Sequence, residues 1–263
     1  MKDQSVVTLW FMIQLLGNYE YGLVDIILWI VETITIDDVG EIPAKKYKGN
    51  LLLSGRLSIP RTITSIGNEA FCMCSALTSV TIPYSANVIK IQAFAWCTGL
   101  TSVKILSPVK CIESRTFTEC GMLASITFPK SLKEIKQDAF SGCCGLTSIN
   151  LQGLYTIGSY AFSRCSGLTS VNIPNSVAII GKDSFSWCVG LTSVTIEEGV
   201  RIIGESAFYR CSGLTSVTIP SSVTEIGEYA FSGCSGLVAV TIPSSTTIKE
   251  DGFPKGCIVT RRT

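Results

Sequence analysis

A cysteine recurs about every 23 residues along most of this chain. Cys74, Cys97, Cys120, Cys143, Cys165, Cys188, Cys211, Cys234 and Cys257 are separated by steps of 23 residues, with one step of 22 between Cys143 and Cys165. A phenylalanine stands three residues before each of the first eight: Phe71, Phe94, Phe117, Phe140, Phe162, Phe185, Phe208 and Phe231. Apolar residues follow each cysteine at fixed distances, as Leu214, Val217 and Ile219 follow Cys211. A period of this length marks a chain built from stacked units, because one such unit cannot bury its apolar side chains alone and needs its neighbours to make a core.

Each column of the repeat has a physical role. Leu, Val and Ile spaced by three and two point inward from a short strand, and the residues between them point outward. A second apolar pair, such as Val223 with Ile226, lines the opposite wall, and the phenylalanines fill the width between. Pro60, Pro83, Pro129, Pro174, Pro220 and Pro243 follow the strands, where a missing amide donor ends a ladder. Gly67, Gly158, Gly181, Gly204 and Gly227 mark a second bend and are expected at positive φ. Ile36, Ile59 and Ile82 continue the spacing backwards, so Val31–Ile36 and Ser54–Ile59 read as degenerate rungs and the total is about ten. The 22-residue step falls where Leu151, Gln152, Gly153 and Leu154 replace the longer turn, and a one-residue deletion in a surface turn is expected to leave the rung register intact.

Stretches such as AFYRCSGLTSVTIP from Ala207 to Pro220 resemble the BspA-like leucine-rich repeat proteins of the Treponema type, over roughly residues 50 to 257. The resemblance implies a leucine-rich repeat solenoid: about ten stacked 23-residue rungs with a parallel concave β-sheet and a convex side of β-structure and turns. It also implies a secreted or cell-surface protein that adheres to host or microbial partners, and it supplies no catalytic residue. On this reading residues 31–263 are the solenoid, and residues 1–30 are a nonrepeating cap or a degenerate signal segment. Val6–Leu16 and Leu23–Val31 are apolar but too short to span a bilayer, so no membrane span is expected.

Composition narrows the chemistry. There is no histidine, which removes the commonest general base and metal ligand, and 21 basic against 20 acidic residues leave no global field to draw nucleic acid. A non-enzymatic protein without cofactor, metal or nucleic-acid partner is expected. Stacked cysteines about 4.8 Å apart sit slightly beyond disulfide range, so the column reads as buried free thiols donating weakly to a turn carbonyl. Such thiols suit a reducing compartment, whereas the resemblance points to the surface; a cytoplasmic interaction scaffold is the alternative.

Two surfaces are candidates for a protein or glycan ligand. One is the outward strand face, a hydroxyl carpet that includes Thr169, Thr192, Thr195, Thr215 and Thr218, interrupted by Lys104, Asn150 and Asn172. Threonine also simply suits a strand surface. The other is the variable position just before each cysteine, which reads Met73, Trp96, Glu119, Gly142, Arg164, Trp187, Arg210 and Gly233. Arg164, Trp187 and Arg210 should be neighbours on consecutive rungs, and exposed Trp and Arg anchor interfaces. Packing over a bend is the plainer reading of the same residues. Glu197, Glu198, Glu205, Glu225 and Glu228 read as solvated charge. Cys257 begins a rung that stops at Thr263 without its strand, which is expected of either a fragment of a longer array or an edge for end-to-end self-association.

Overall fold

The computed structural model describes residues 40–263, so the expected cap and the degenerate rung at Val31–Ile36 lie outside the described residues. The described chain contains strands and turns and no helix, and it winds as a parallel β-solenoid of about ten turns. The segment Leu-Thr-Ser-Val-Thr-Ile of each rung makes one wall, because β-branched residues alternating in and out suit a half-buried pleated strand. Its strands are β2 (Gly55–Ser58), β4 (Leu77–Ile82), β6 (Ser102–Ile105), β8 (Ser125–Thr127), β11 (Ser170–Ile173), β13 (Ser193–Ile196), β15 (Ser216–Thr218), β17 (Ala239–Pro243) and β19 (Ile258–Arg262). The shorter apolar pair makes the second wall, with β1 (Gly40–Ile42), β3 (Ile63–Ile66), β5 (Val88–Ile89), β7 (Cys111–Ile112), β9 (Glu134–Ile135), β10 (Thr156–Ile157), β12 (Ile179–Ile180), β14 (Ile202–Ile203), β16 (Glu225–Ile226) and β18 (Thr247–Ile248).

The second wall is the more continuous of the two. Its strands β7, β9, β10, β12, β14, β16 and β18 form one seven-stranded parallel sheet, and β1, β3 and β5 a further three. The Leu-Thr-Ser-Val wall is split into sheets of four strands (β2, β4, β6, β8), three (β11, β13, β15) and two (β17, β19). Register follows the repeat: Ser193 pairs with Ser216 and Val194 with Val217. Equivalent residues therefore sit directly above one another.

That stacking explains the core. The phenylalanines form one file with ring centroids 5.0–5.6 Å apart and interplanar angles of 3–13° from Phe71 to Phe231. Tyr47 opens the file against Phe71 and Phe253 closes it against Phe231. All eight repeat phenylalanines are fully buried. The third side of each rung is a run of overlapping turns whose amides alternate in destination. In one rung Ala70, Cys72 and Cys74 donate to Gly67, Glu69 and Phe71 within the turn, while Glu69, Phe71 and Met73 donate to Ile91, Ala93 and Ala95 of the next rung. No backbone donor in this run is wasted, which is how a turn segment can be buried beside the core.

Three expectations require correction. The glycines of the second bend are not at positive φ. Gly67, Gly158, Gly181, Gly204 and Gly227 are required instead by close approach, since a Cβ on Gly204 would lie 2.5 Å from the Ile180 carbonyl oxygen and one on Gly227 2.7 Å from the Glu205 nitrogen. Positive φ falls on other residues, two per rung, such as Asp183 at 52° and Trp187 at 61°.

The chain after Cys257 does form a strand. Ile258–Arg262 pairs in parallel along the whole of β17, with Ile258 opposite Ala239 and Arg262 opposite Pro243, because the final rung is shortened ahead of it. Cys257 is half-buried and lacks the hydrogen bond made by the other members of its column, and the phenylalanine file is completed by Phe253 instead. The edge left uncovered by β17 in the sequence reading is thus occupied by β19.

The 22-residue step is more than a surface event. The phenylalanine file continues across it, with Phe140 and Phe162 5.4 Å apart, but Ser148–Asn150 forms no strand and the first wall is interrupted there.

Candidate interaction surface

The variable position before each cysteine forms an outer corner held by main-chain bonds. Trp96, Glu119, Arg164, Trp187 and Arg210 all lie at φ of 57–61°, and each donates its amide to the next rung, as Trp187 does to Tyr209 at 2.7 Å. Trp96 and Trp187 are 46% and 43% exposed, enough to offer a ring to a partner. The structure gathers only part of the expected trio. Arg210 lies with its Cζ 4.5 Å from the Trp187 ring centroid, within cation–π range. Tyr209 joins them, its ring edge-on to Trp187 at a centroid distance of 6.3 Å and its hydroxyl accepting from Arg210 Nε at 3.0 Å. No carboxylate among the described residues pairs with Arg210, so its terminal amino groups remain available to an external acceptor.

Arg164 does not join this cluster. It turns the other way and pairs with Glu119, two rungs back, at 3.3 Å. The pair passes over Gly142, where a Cβ would lie 2.6 Å from the Glu119 carboxyl carbon, so the absent side chain makes room for the ion pair. Trp96 stands three rungs before Arg164 and shares no ring or cation contact with the cluster. Tyr209 was missed in the sequence because it sits directly after Phe208 rather than in the variable column. The signal was there: the equivalent positions are Ser163, Ser186 and Ser232, all small.

On the strand face Thr169, Thr192, Thr195, Thr215 and Thr218 are all exposed. The hydroxyls are not equivalent. Thr192 Oγ1 donates to the Thr169 carbonyl at 2.9 Å and Thr215 Oγ1 to the Thr192 carbonyl at 3.1 Å, with a longer contact from Thr169 to Thr147 at 3.5 Å. These threonines tie one rung to the one before it and offer a ligand only their oxygen lone pairs. Thr195 and Thr218, two strand positions further on, make no such bond and keep donor and acceptor.

Glu197 and Glu198 are not simply solvated. Glu197 accepts from Asn172 Nδ2 at 2.7 Å and from the Asn175 amide at 3.0 Å, and Glu198 accepts from the amides of Ser221 and Ser222 at 2.9 and 3.1 Å. The Asn172 side-chain bond leads the lowering of the Glu197 pKa, and the Ser221 amide leads that of Glu198. They bridge turns on neighbouring rungs. Glu205 forms an ion pair with Lys182 at 2.8 Å.

The cysteine column consists of free thiols. Each Sγ from Cys97 to Cys234 donates to the carbonyl of the phenylalanine one rung back, at 3.1–3.2 Å, as Cys188 does to Phe162. Burial pushes the Cys74 thiol up from the ordinary 9.0 to about 11 and Cys120 to about 12. It likewise raises Cys97, Cys143, Cys165 and Cys188, while for Cys211 and Cys234 the hydrogen bond with the thiol of the rung before contributes first and burial adds to it. Such thiols are inert as nucleophiles, since the thiolate is the reactive form. Among the described residues no group of three or more Cys, Asp or Glu is arranged to hold a metal ion, and no helix is long and apolar enough to cross a membrane.

The family profile described as BspA type leucine rich repeat region matches residues 40–166 and 152–260, in six copies. A leucine-rich repeat protein from Bacteroides ovatus is similar in structure at a TM-score of 0.65 and 30% identity, over 86% of this chain and 67% of that one. The leucine-rich repeat protein of T. pallidum gives a TM-score of 0.54 at 28% identity, over 69% and 77% of the two chains. One from Eubacterium ventriosum gives 0.56 at 20% identity, over 77% and 64%, which speaks for the fold alone. No curated protein matches the sequence.

Proposed function

Since the chain belongs to the BspA-type leucine-rich repeat family, we propose that it is a non-enzymatic binding solenoid that adheres, at the cell surface, to a protein or glycan through its strand face and its variable corner. The Trp187–Tyr209–Arg210 cluster carries this reading. A half-exposed indole stacked on a guanidinium with unengaged donors presents an apolar surface beside a site for a carboxylate, the combination that anchors interfaces. Thr195 and Thr218, on the strand face, supply free hydroxyls on the other of the two surfaces. Arg164 and Trp96 form separate points on the corner. The test is binding of the intact protein to immobilised matrix proteins and glycan arrays. Trp187→Ala and Arg210→Ala should each weaken a detected interaction at least tenfold with the melting temperature little changed, and unchanged binding in the double variant would refute the cluster's role.

A second reading rests on a specific observation: twelve cysteines and no disulfide. Free thiols in this number suit a reducing compartment, and an intracellular interaction scaffold would use the same surface. Protease treatment of intact native cells separates the two, because cleavage of the protein places it outside and full protection places it inside.

A further inference from the structure

If the Trp187–Tyr209–Arg210 cluster is a binding surface, as read above, its geometry narrows the ligand. Main-chain recognition is closed at this corner. The amides of Arg164, Trp187 and Arg210 donate to the carbonyls of Ser186, Tyr209 and Ser232 on the next rung at 2.7–2.8 Å, and their own carbonyls accept from Ser166, Val189 and Ser212 at 2.8–2.9 Å. An extended peptide gains its affinity from main-chain bonds at an open strand edge, and the corner presents none. Only side chains are on offer. The Tyr209 hydroxyl engages Nε of Arg210 alone, so both terminal nitrogens keep their donors in the fork that matches the two oxygens of a carboxylate. The same corner shows that pairing once already: Arg164 Nη2 lies 3.3 Å from Glu119 Oε1, across Gly142. Arg210 also runs past a glycine, with its Cγ 2.8 Å from where a Gly233 Cβ would stand, yet no acid among the described residues answers it.

We propose that the cluster binds a saccharide whose pyranose ring carries a carboxylate, of the sialic acid or uronic acid kind. The carboxylate lies on the terminal nitrogens of Arg210, and a C–H face of the ring lies against the uncovered part of the Trp187 indole. Trp187 and Val189 are exposed on one rung of an outer corner, so they make a platform that covers one side of a ligand and leaves its hydroxyls in water. A stiff ring suits such a platform better than a flexible acidic side chain, because little conformational freedom is lost when it docks. Stacking on Trp187 and the bond to Tyr209 hold the guanidinium in place before the ligand arrives.

The test is biolayer interferometry of the intact protein on polymer-linked glycans, comparing sialyllactose with lactose and glucuronic acid with glucose. At least one acidic glycan should bind tenfold or more tightly than its neutral counterpart, and the pair that shows the preference identifies the source of the carboxylate. Arg210→Gln should abolish the preference, and Trp187→Ala should weaken the acidic glycan at least tenfold, both with the melting temperature little changed. Equal binding of acidic and neutral glycans, or binding of neither, would overturn the proposal. An acidic preference that survives Arg210→Gln would overturn it too, by placing the carboxylate elsewhere. Failure of the broader reading looks different. A matrix protein whose binding falls tenfold in Trp187→Ala, on a chain that binds no glycan, would keep the cluster as a binding surface and overturn the acidic sugar alone.

Discussion

The stacked thiols should make this protein unusually sensitive to alkali. Eight of them, Cys74, Cys97, Cys120, Cys143, Cys165, Cys188, Cys211 and Cys234, are buried and hold their protons above the ordinary value of 9.0. In the unfolded chain they ionise near that ordinary value, so the unfolded state loses protons first. The stabilisation is fully present below pH 9 and is lost as pH rises towards the folded values, about 11 for Cys74 and about 12 for Cys120. Each thiol that stays protonated in the fold costs about 0.4 kcal/mol at pH 9 and about 1.4 kcal/mol at pH 10. The seven other than Cys188, which are raised far enough to stay protonated, give about 10 kcal/mol at pH 10, comparable with the whole stability of an ordinary domain. Guanidinium unfolding followed by far-ultraviolet circular dichroism, in the presence of a phosphine reductant at pH 8, 9 and 10, measures this directly. The midpoint should fall slightly by pH 9 and collapse by pH 10. Replacing a single column member, as in Cys165→Ala, should reduce the loss between pH 8 and pH 10 by about 1.4 kcal/mol whatever it does to stability at pH 8. Equal midpoints at pH 8 and pH 10 would refute the argument, as would a loss that Cys165→Ala leaves unchanged.

Other outcomes follow from the same stacking. Gly204→Ala puts a Cβ 2.5 Å from a carbonyl that already accepts the Gly204 amide at 2.9 Å, so it should destabilise by about 2–3 kcal/mol. Gly121→Ala meets nothing within 4 Å and should be neutral or stabilising by about 0.4–1 kcal/mol, and calorimetry of the two variants tests close approach as the cause. Phe185→Ala removes a buried ring held between Phe162 and Phe208 at 5.2 and 5.4 Å, and denaturant titration should show a loss of about 3–5 kcal/mol. Alkylation of the native protein with iodoacetamide at pH 8, read by mass spectrometry, should modify exposed Cys144 long before any member of the buried column.

The repeat was legible because each of its columns has one job. Phe185 and Cys188 recur at fixed spacing since each must meet its counterpart in the next rung, and that spacing is written in the chain. What was not legible were effects set between rungs. Gly204 looks the same in sequence whether it serves a positive φ or a backbone lying 2.5 Å from its missing Cβ, and only the stacked structure separates the two. The last rung misled for a related reason: Cys257 keeps the 23-residue count, but the strand after it is fixed by pairing with β17, which the shortened rung brings forward by four residues relative to that count. At the corner, Arg164, Trp187 and Arg210 are equally spaced, and the choice of partner was made by Gly142, whose missing side chain admits the ion pair, and by Tyr209, which lies outside the variable column.

The corner has a consequence for how such a surface can change. Its backbone sits at positive φ in Met73, Trp96, Glu119, Arg164, Trp187 and Arg210 alike, and glycine takes the same place at Gly142 and Gly233. The conformation is enforced by the amide bond to the next rung and by the turns on either side, not by the side chain that happens to occupy it. An apolar, aromatic, acidic or basic residue there meets the same local strain and the same main-chain bonds. Variation at this position is therefore uncoupled from the core: the solenoid can exchange one recognition residue for another, rung by rung, while the phenylalanine file and the thiol ladder beneath it keep the same stability.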